Sequence, residues 1–455
     1  MFRKTFASAA AVVALIVTSP AAFAETLGGA LVSAYNSSGL LDQNRAVLRA
    51  ADEDVASAMA SLRPTLSYSA NATHGATASS ATDVWTETYS LISQLTLYQG
   101  GANKLALDAS KELVLGARED LVAAEQNVLL SAISAYLGVR TAQEFVNLRQ
   151  SNVRVLSEEL RAAQDRFSVG EVTRTDVSLA EAQLASARSL LAVAQGDLIQ
   201  AQEQYRVAVG TAPVSLQSAP RADVGMTQDA ATEYALRAHP SILSVQHAIA
   251  AAELGVRIAQ ASNMPSVDLS ASFTERRVDG GSFNDSTSYG VSVSGPIYAG
   301  GAISSAVRKA NAQRDQARAG LHLTTLSVEQ GVTNAFSNYR AAVAASDAYR
   351  QGVAAAQLAF DGVREEAAAG SRTTIDVLNA EQSLLDARAN LVQANANVVL
   401  ASYNILYATG LLTAEHLNLP VTQYDVEGHY NMVANAPIRS SAQGRALDRV
   451  LQALE

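Results

Sequence analysis

The sequence predicts a mainly α fold that carries four β-strands and is built as one plan used twice. Three observations predict it. The chain matches itself at an offset of 200 or 201 residues, its long proline-free stretches carry alanine-rich heptads, and between them lie runs that alternate polar and apolar residues.

The self-match comes first because it sets the order of everything else. Leu97-Tyr98-Gln99-Gly100-Gly101 corresponds to Ile297-Tyr298-Ala299-Gly300-Gly301. Gly170, Asp176, Ala180, Glu181 and Arg188 correspond to Gly370, Asp376, Ala380, Glu381 and Arg388, and Gly210 to Gly410. Pro64-Thr65-Leu66-Ser67 corresponds to Pro265-Ser266-Val267-Asp268. The expected division is therefore a first repeat over 25–220, a second over 221–410, and a tail over 411–455.

No proline lies between Pro64 and Pro213 or between Pro296 and Pro420, which suits long helices. Val177, Leu184, Leu191, Leu198 and Tyr205 recur every seven residues, with Ala180, Ala187, Ala194, Ala201 and Ala208 between them. The second half repeats this with Val377, Leu384, Leu391, Val398 and Ile405. A large apolar residue at one seam position and alanine at the other makes a closely packed, left-handed coiled coil. Gly170 and Gly370 break each long helix into a hairpin. An outgoing helix from Ala102 to Phe167 spans on the order of 100 Å at 1.5 Å per residue. The return, residues 175–209, is shorter, so a helix over 44–61, and its counterpart over 242–262, is expected to complete the length by end-to-end stacking.

The strands read Leu66, Tyr68, Ala70, Ala72 and Tyr89, Leu91, Ser93, Leu95, Leu97 in the first half. In the second they read Val267, Leu269, Ala271, Phe273 and Tyr289, Val291, Val293, Gly295, Ile297. Period-two alternation over about nine residues is the mark of outer-membrane strands, although a soluble sandwich alternates too. Tyrosines stand near the strand ends, where interfacial aromatics are favoured. Polar segments over 74–84 and 275–288 are expected to be outward loops. Four strands cannot close a barrel, and open edges are not tolerated in lipid. Strands in a membrane would therefore have to be pooled among copies. An eight-stranded barrel fills with side chains, so a channel calls for three copies or more.

Composition narrows the function classes. The formal charge is −10, which argues against nucleic-acid binding. With no cysteine, the 455-residue chain has no disulfide, thiol nucleophile, thiolate metal site or amino-terminal lipid on cysteine. Arg3, Lys4, an apolar run from Ala9 to Val17 and Ala22-Phe23-Ala24 read as a secretory signal over 1–24, cleaved before Glu25. No later stretch of 18 uninterrupted apolar residues marks a membrane helix. The six histidines form no metal pattern; His239 and His247 stand alone, without a His-Glu-x-x-His motif. Gly290 to Gly295 lacks the Lys-Ser/Thr end of a phosphate loop. No catalytic constellation, cofactor or metal is expected.

With these features in place, the chain resembles the TolC family of outer-membrane efflux and secretion channels over nearly its whole length. The specific motifs are the Tyr-x-Gly-Gly segments and the turns Val169-Gly170-Glu171-Val172-Thr173-Arg174-Thr175-Asp176 and Gly370-Ser371-Arg372-Thr373-Thr374-Ile375-Asp376-Val377. The tail around Leu419-Pro420-Val421 and Tyr424-Asp425 is similar to members from α-proteobacteria. The resemblance implies a homotrimer with a twelve-stranded barrel in outer-membrane lipid above a periplasmic α-barrel. It implies an equatorial belt that includes the tail, a periplasmic adaptor, and an inner-membrane ABC or RND-type transporter. It also implies a gate at the periplasmic end: Arg372 at the constriction and the acidic Asp176 and Asp376 near the entrance. Asn379 stands where a second aspartate is often found, and Ala367 where the best-known member has a gating tyrosine. Val169, Gly170 and Glu171 match an adaptor-docking turn; Gly370 and Ser371 match it less closely.

Simpler roles stand beside these. Thr173-x-x-Asp176 and Thr373-x-x-Asp376 read as capping boxes, and aspartate suits a helix start. Arg372 there opposes the helix dipole, which calls for an acidic partner. The glycines suit left-handed turns. Two other classes share part of the pattern. A secreted coiled-coil filament subunit would have the heptads without the tyrosine-rich strands. A periplasmic adaptor would have one hairpin rather than two.

Overall fold

The computed structural model describes residues 25–77 and 80–452; the expected signal segment lies outside them. Two helices, α1 (Leu27–Ser37) and α2 (Gly39–Ala60), lead into strands β1 (Thr65–Thr77) and β2 (Ser80–Gln99). The long hairpin α3 (Ala102–Ser168) and α4 (Arg174–Val209) follows. The order then repeats as α5 (Gln228–Ala238), α6 (Pro240–Ala261), β3 (Ser266–Val278), β4 (Asn284–Ser294), α7 (Ala302–Ala368) and α8 (Thr374–Ala408). Short helices α9 (Gly428–Val433) and α10 (Ala442–Gln452) end the described chain.

Each half has two leading helices where the pattern predicts one. Ser38 takes an extended backbone between α1 and α2, and its hydroxyl accepts from the amide of Leu41, so it caps a new helix. His239 is extended before Pro240, which occupies the first turn of α6 where its missing N–H costs nothing. These breaks do what end-to-end stacking requires. Ser37 Oγ donates to the carbonyl of Val209 at 2.9 Å, seating the α1–α2 junction on the end of α4. Gly210 lies there at φ +86°, and a Cβ on it would clash with the Ser37 side chain. In the second half the end of α8 meets the start of α6: a Cβ on Gly410 would stand 2.9 Å from Pro240 Cδ.

The four strands form one antiparallel sheet in the order β1-β2-β3-β4. They run past the predicted loops. β1 extends to Thr77 and β2 begins at Ser80, so 74–84 is mostly strand, and the second connection shrinks to 279–283. Threonine- and serine-rich segments read as loops by composition, but paired backbone and the β-preference of threonine extend the ladder. β4 stops at Ser294 rather than Ile297, because Pro296 has no N–H to give the ladder.

The core follows the seam. Val177, Leu184, Ala180, Ala187 and Ala194 are buried on α4, and Val377, Leu384, Ala394, Val398, Ala401 and Ile405 on α8. The largest cluster gathers α1, α2, the first half of α3 and the tail around Leu412 and Ala414. An 18-residue window in α3, and another across α5 and α6, is apolar enough by composition to cross a bilayer. α3 is several times longer than a bilayer is thick, and α5–α6 is broken at His239.

The tail climbs. Gln126 Nε2 donates to the carbonyl of Gly410 at 2.7 Å, and Glu125 accepts from the amide of Ala414 at 2.6 Å. Further along, Arg45 lies over the ring of Tyr424, and Arg118 pairs with Glu427. His429 meets Asp52 at 2.9 Å in a buried pair. Arg63 then donates to the carbonyls of Asn435 and Ala436, two residues before β1 begins. The segment after Leu411 thus packs at mid-height first, and its second half runs along α2 to the foot of the sheet.

Candidate functional site

Register sorts most of the sheet's side chains by polarity, with Ile92 standing among the hydroxyls and Ser93 among the apolar residues. Tyr68 stands opposite Leu91 and Leu91 opposite Phe273; Ala70 stands opposite Tyr89; Leu95 opposite Leu269 and Leu269 opposite Val291; Val267 opposite Val293. That face is apolar along its helix-proximal two-thirds, and Tyr68 is 86% exposed on it. The other face carries Ser67, Ser69, Asn71, Thr88, Ser90, Gln94, Ser270, Ser272, Thr274 and Ser288. Hydroxyls bond across it, Ser90 to Thr274 at 3.2 Å and Ser272 to Ser288 at 2.8 Å. A free-standing sheet in water has no use for an exposed apolar face this large. β1 and β4 each leave one edge unpaired.

Some 67 residues of helix away, the two hairpins end in turns of one design. Gly170 has φ +82° and Gly370 φ +78°, the left-handed conformation in which glycine alone is unstrained. The amide of Glu171 bonds back to the carbonyl of Arg166, and that of Ser371 to Glu366, closing each helix. Capping boxes open the return helices. Thr173 Oγ1 donates to Asp176 Oδ2 at 2.7 Å, its amide donates to the same oxygen at 2.9 Å, and its hydroxyl accepts from the Asp176 amide. Thr373 and Asp376 repeat this. The threonine hydroxyl, then the backbone amide, hold both carboxyls below their ordinary range, so both are charged at neutral pH.

Arg372 breaks the likeness between the turns. Its Nε donates to Glu366 Oε2 at 2.8 Å, which keeps the guanidinium protonated and supplies the acidic partner that its place at a helix start calls for. Asp376 lies near enough to add to this. Ala367 is buried with Phe360, Val377 and Leu384. Asn379 is exposed, and its carbonyl accepts from Ser383. Val169, Gly170, Glu171, Gly370 and Ser371 are all exposed at the tips.

Between the hairpins, where α8 packs on α3, lies a pair that sequence reasoning missed. Asn152 Nδ2 donates to Glu381 Oε1 at 2.8 Å, with Glu381 only 6% exposed and its Oε2 without a partner. Burial pushes this carboxyl up to about 7; Glu159 adds to the shift, while the Asn152 bond and Arg364 oppose it. Arg364 itself lies 3.7 Å from Glu159.

The family model described as "Outer membrane efflux protein" matches residues 30–211 and 232–411, most of both halves. The chain belongs to this family. The outer membrane efflux protein BepC of Brucella suis biovar 1 (strain 1330) is 38% identical over 95% of this chain and 95% of its own length. The outer membrane protein TolC of Escherichia coli (strain K12) is 29% identical over 57% of this chain and 56% of its own. Among solved structures, the Campylobacter jejuni CmeC outer membrane channel superposes with a TM-score of 0.76 at 17% identity, covering 91% of this chain and 90% of that one. This efflux protein therefore resides in the outer membrane with a large periplasmic portion, has a TolC-like fold, and serves as an exit duct.

Within that family fold, the expected gate residues fall on the two tips, as their turns require. The Asn152–Glu381 pair escaped because Glu381 matches Glu181 in the repeat and so reads as scaffold. The usable signal was the heptad. Glu381 directly follows the seam alanine Ala380, and Asn152 directly precedes Val153, which continues the seven-residue spacing of Val139 and Val146 on α3 and packs against the cluster that holds Leu184. Those flanking positions face each other across coiled-coil seams.

Proposed function

We propose that three copies of this chain pool their strands into a twelve-stranded barrel and their hairpins into a periplasmic tunnel. The assembly serves as the exit duct of a tripartite efflux pump or a type I secretion system. It docks by its tips to a periplasmic adaptor and, through it, to an inner-membrane ABC or RND-type transporter. The observation that carries this reading is the four-stranded sheet with one apolar face, one hydroxyl-lined face and two open edges. Lipid accepts such a sheet only when its edges are paired, and twelve strands leave a lumen where eight do not.

In this assembly the hydroxyl face lines the lumen and the tips form the periplasmic mouth. Asp176 and Asp376, both ionised, place six carboxylates near that mouth and favour cations, as acidic rings do in channels. Arg372, with Asn379 and the buried Ala367 beside it, forms the constriction. The exposed turns Val169-Gly170-Glu171 and Gly370-Ser371 present the docking surface to the adaptor. Reconstitution in planar bilayers tests the reading. The protein should migrate as a heat-sensitive trimer and conduct as a cation-preferring channel. The double variant Asp176→Asn/Asp376→Asn should raise anion conductance. A monomer that forms no channel would defeat the assembly; unchanged ion preference in the double variant would remove the aspartates from the mouth.

A further inference from the structure

The tail does not end at mid-height. Arg63 fastens it at the carbonyls of Asn435 and Ala436, within two residues of β1, and α10 begins six residues later. Gln443 Nε2 donates to the carbonyl of Met432 at 2.8 Å, and Leu447 packs on Ala56 and Val433. These contacts hold α10 beside the last turns of α2, at the foot of the membrane sheet.

Only part of its apolar side is used there. Leu447 is buried, but Ala442, Ala446 and Val450, on the neighbouring stripe, are exposed, as is Ile438 just before the helix. At the same foot the strands expose Leu66, Tyr68 and Tyr98, and the segments flanking them expose Met264 and Tyr298. Charge changes here as well. The chain as a whole carries −10, yet residues 437–452 hold Arg439, Arg445 and Arg449 against Asp448 alone. Arg445 and Arg449 are exposed on the polar side of α10. A short helix with an apolar stripe, arginines on its polar side and a place at a bilayer rim is built to lie in the headgroup layer. Basic residues at that depth are drawn to anionic lipid.

We infer that α10, with Ile438, lies on the periplasmic leaflet of the outer membrane as an interfacial helix, its apolar stripe continuing the barrel's lipid belt and its arginines meeting anionic phospholipid headgroups. With no cysteine in the chain to carry a lipid anchor, this helix fastens the helical body to the bilayer it hangs from. The inference rests on the sheet spanning the membrane, and the test separates the two.

The absence of native cysteine makes the test direct. Single variants Val450→Cys, Leu66→Cys and Val169→Cys in the full chain are labelled with an environment-sensitive fluorophore. They are then placed in nanodiscs of phosphatidylethanolamine and phosphatidylglycerol containing nitroxide-labelled lipid. The Leu66 probe reports the lipid face of the sheet, and the Val169 probe, at the hairpin tip, reports water. The Val450 probe should be quenched by the nitroxide lipid nearly as strongly as the Leu66 probe. Its quenching should fall when phosphatidylcholine replaces phosphatidylglycerol, and again in the background Arg445→Gln/Arg449→Gln. A Val450 probe that matches the Val169 probe overturns the inference. So does one that is shielded from water but unquenched, since protein rather than lipid would then cover the stripe. A Leu66 probe without quenching would instead strike at the membrane placement of the sheet.

Discussion

The two hairpin tips share a backbone and differ in what their side chains hold. Both turn on a left-handed glycine, and both reopen with a threonine–aspartate capping box. Beyond that the repeats diverge. The second tip clasps Arg372 to Glu366; the first has Val172 in the place of the arginine. Glu381 is buried against Asn152, whereas its counterpart Glu181 is exposed, and the residue equivalent to Asn152 is Gly352. Duplication kept what the backbone geometry demands. The contacts that distinguish one seam from the other sit where the copies stopped matching, and those positions are where regulation of the opening should be sought.

The largest expected difference between the halves is in pH dependence. Folded, Glu381 keeps its proton up to about pH 7, against an ordinary value of 4.5. The folded state therefore binds more protons than the unfolded state between those limits. The stability this provides is complete below the ordinary value and is lost as pH rises through about 7, up to about 3 kcal/mol per chain. Glu381→Gln should keep the amide neutral at every pH and so flatten the fall in melting temperature between pH 5 and 8, while Glu181→Gln should leave it unchanged. Equal slopes in the two variants would show that the seams do not differ in this way. Next in size, Asn152→Ala removes the one donor to a buried oxygen and should cost about 1–3 kcal/mol. Its repeat counterpart Gly352→Ala, in an open helical position, should be neutral or slightly stabilising. Thermal unfolding at pH 8, where Glu381 is charged, gives the sharpest contrast.

Smaller effects should be the same in both halves. Gly170→Ala and Gly370→Ala each force a Cβ into the left-handed region, at about 1 kcal/mol. Neither glycine has a neighbour within 4 Å of that Cβ, so conformation alone sets the cost. Melting shifts that differ clearly between the two variants would mean that one tip carries a constraint beyond its turn.

Legibility in the sequence followed the range of each signal. Heptads and proline placement located α3, α4, α7 and α8 because helix periodicity is written in adjacent turns. Strand existence was equally plain; strand ends were not, since Thr73 to Thr77 pairs with β2 only through tertiary structure. The break at Ser38 escaped because serine caps a helix only when the chain bends there. The capping aspartates were visible as a local Thr-x-x-Asp motif. The Asn152–Glu381 pair joins residues 229 apart and has no local motif. The ascent of the tail depends on Arg63 reaching carbonyls 372 and 373 residues away, and backbone carbonyls carry no sequence signature at all.

The smallest effect on stability should come from the feature that most clearly separates the tips. Arg372 and Glu366 are both about half exposed, and such pairs add little to folding. Arg372→Ser should leave melting unchanged within error yet enlarge single-channel conductance, because in the proposed trimer it would remove three cations from the proposed constriction. Glu366→Gln then decides how the arginine is held. If the intramolecular clasp is its working restraint, freeing the guanidinium should change conductance and its fluctuations nearly as much as removing it. If Glu366→Gln behaves as wild type while Arg372→Ser opens the channel, the partner that matters lies on a neighbouring chain. The difference between the two tips would then be one that only the proposed trimer expresses.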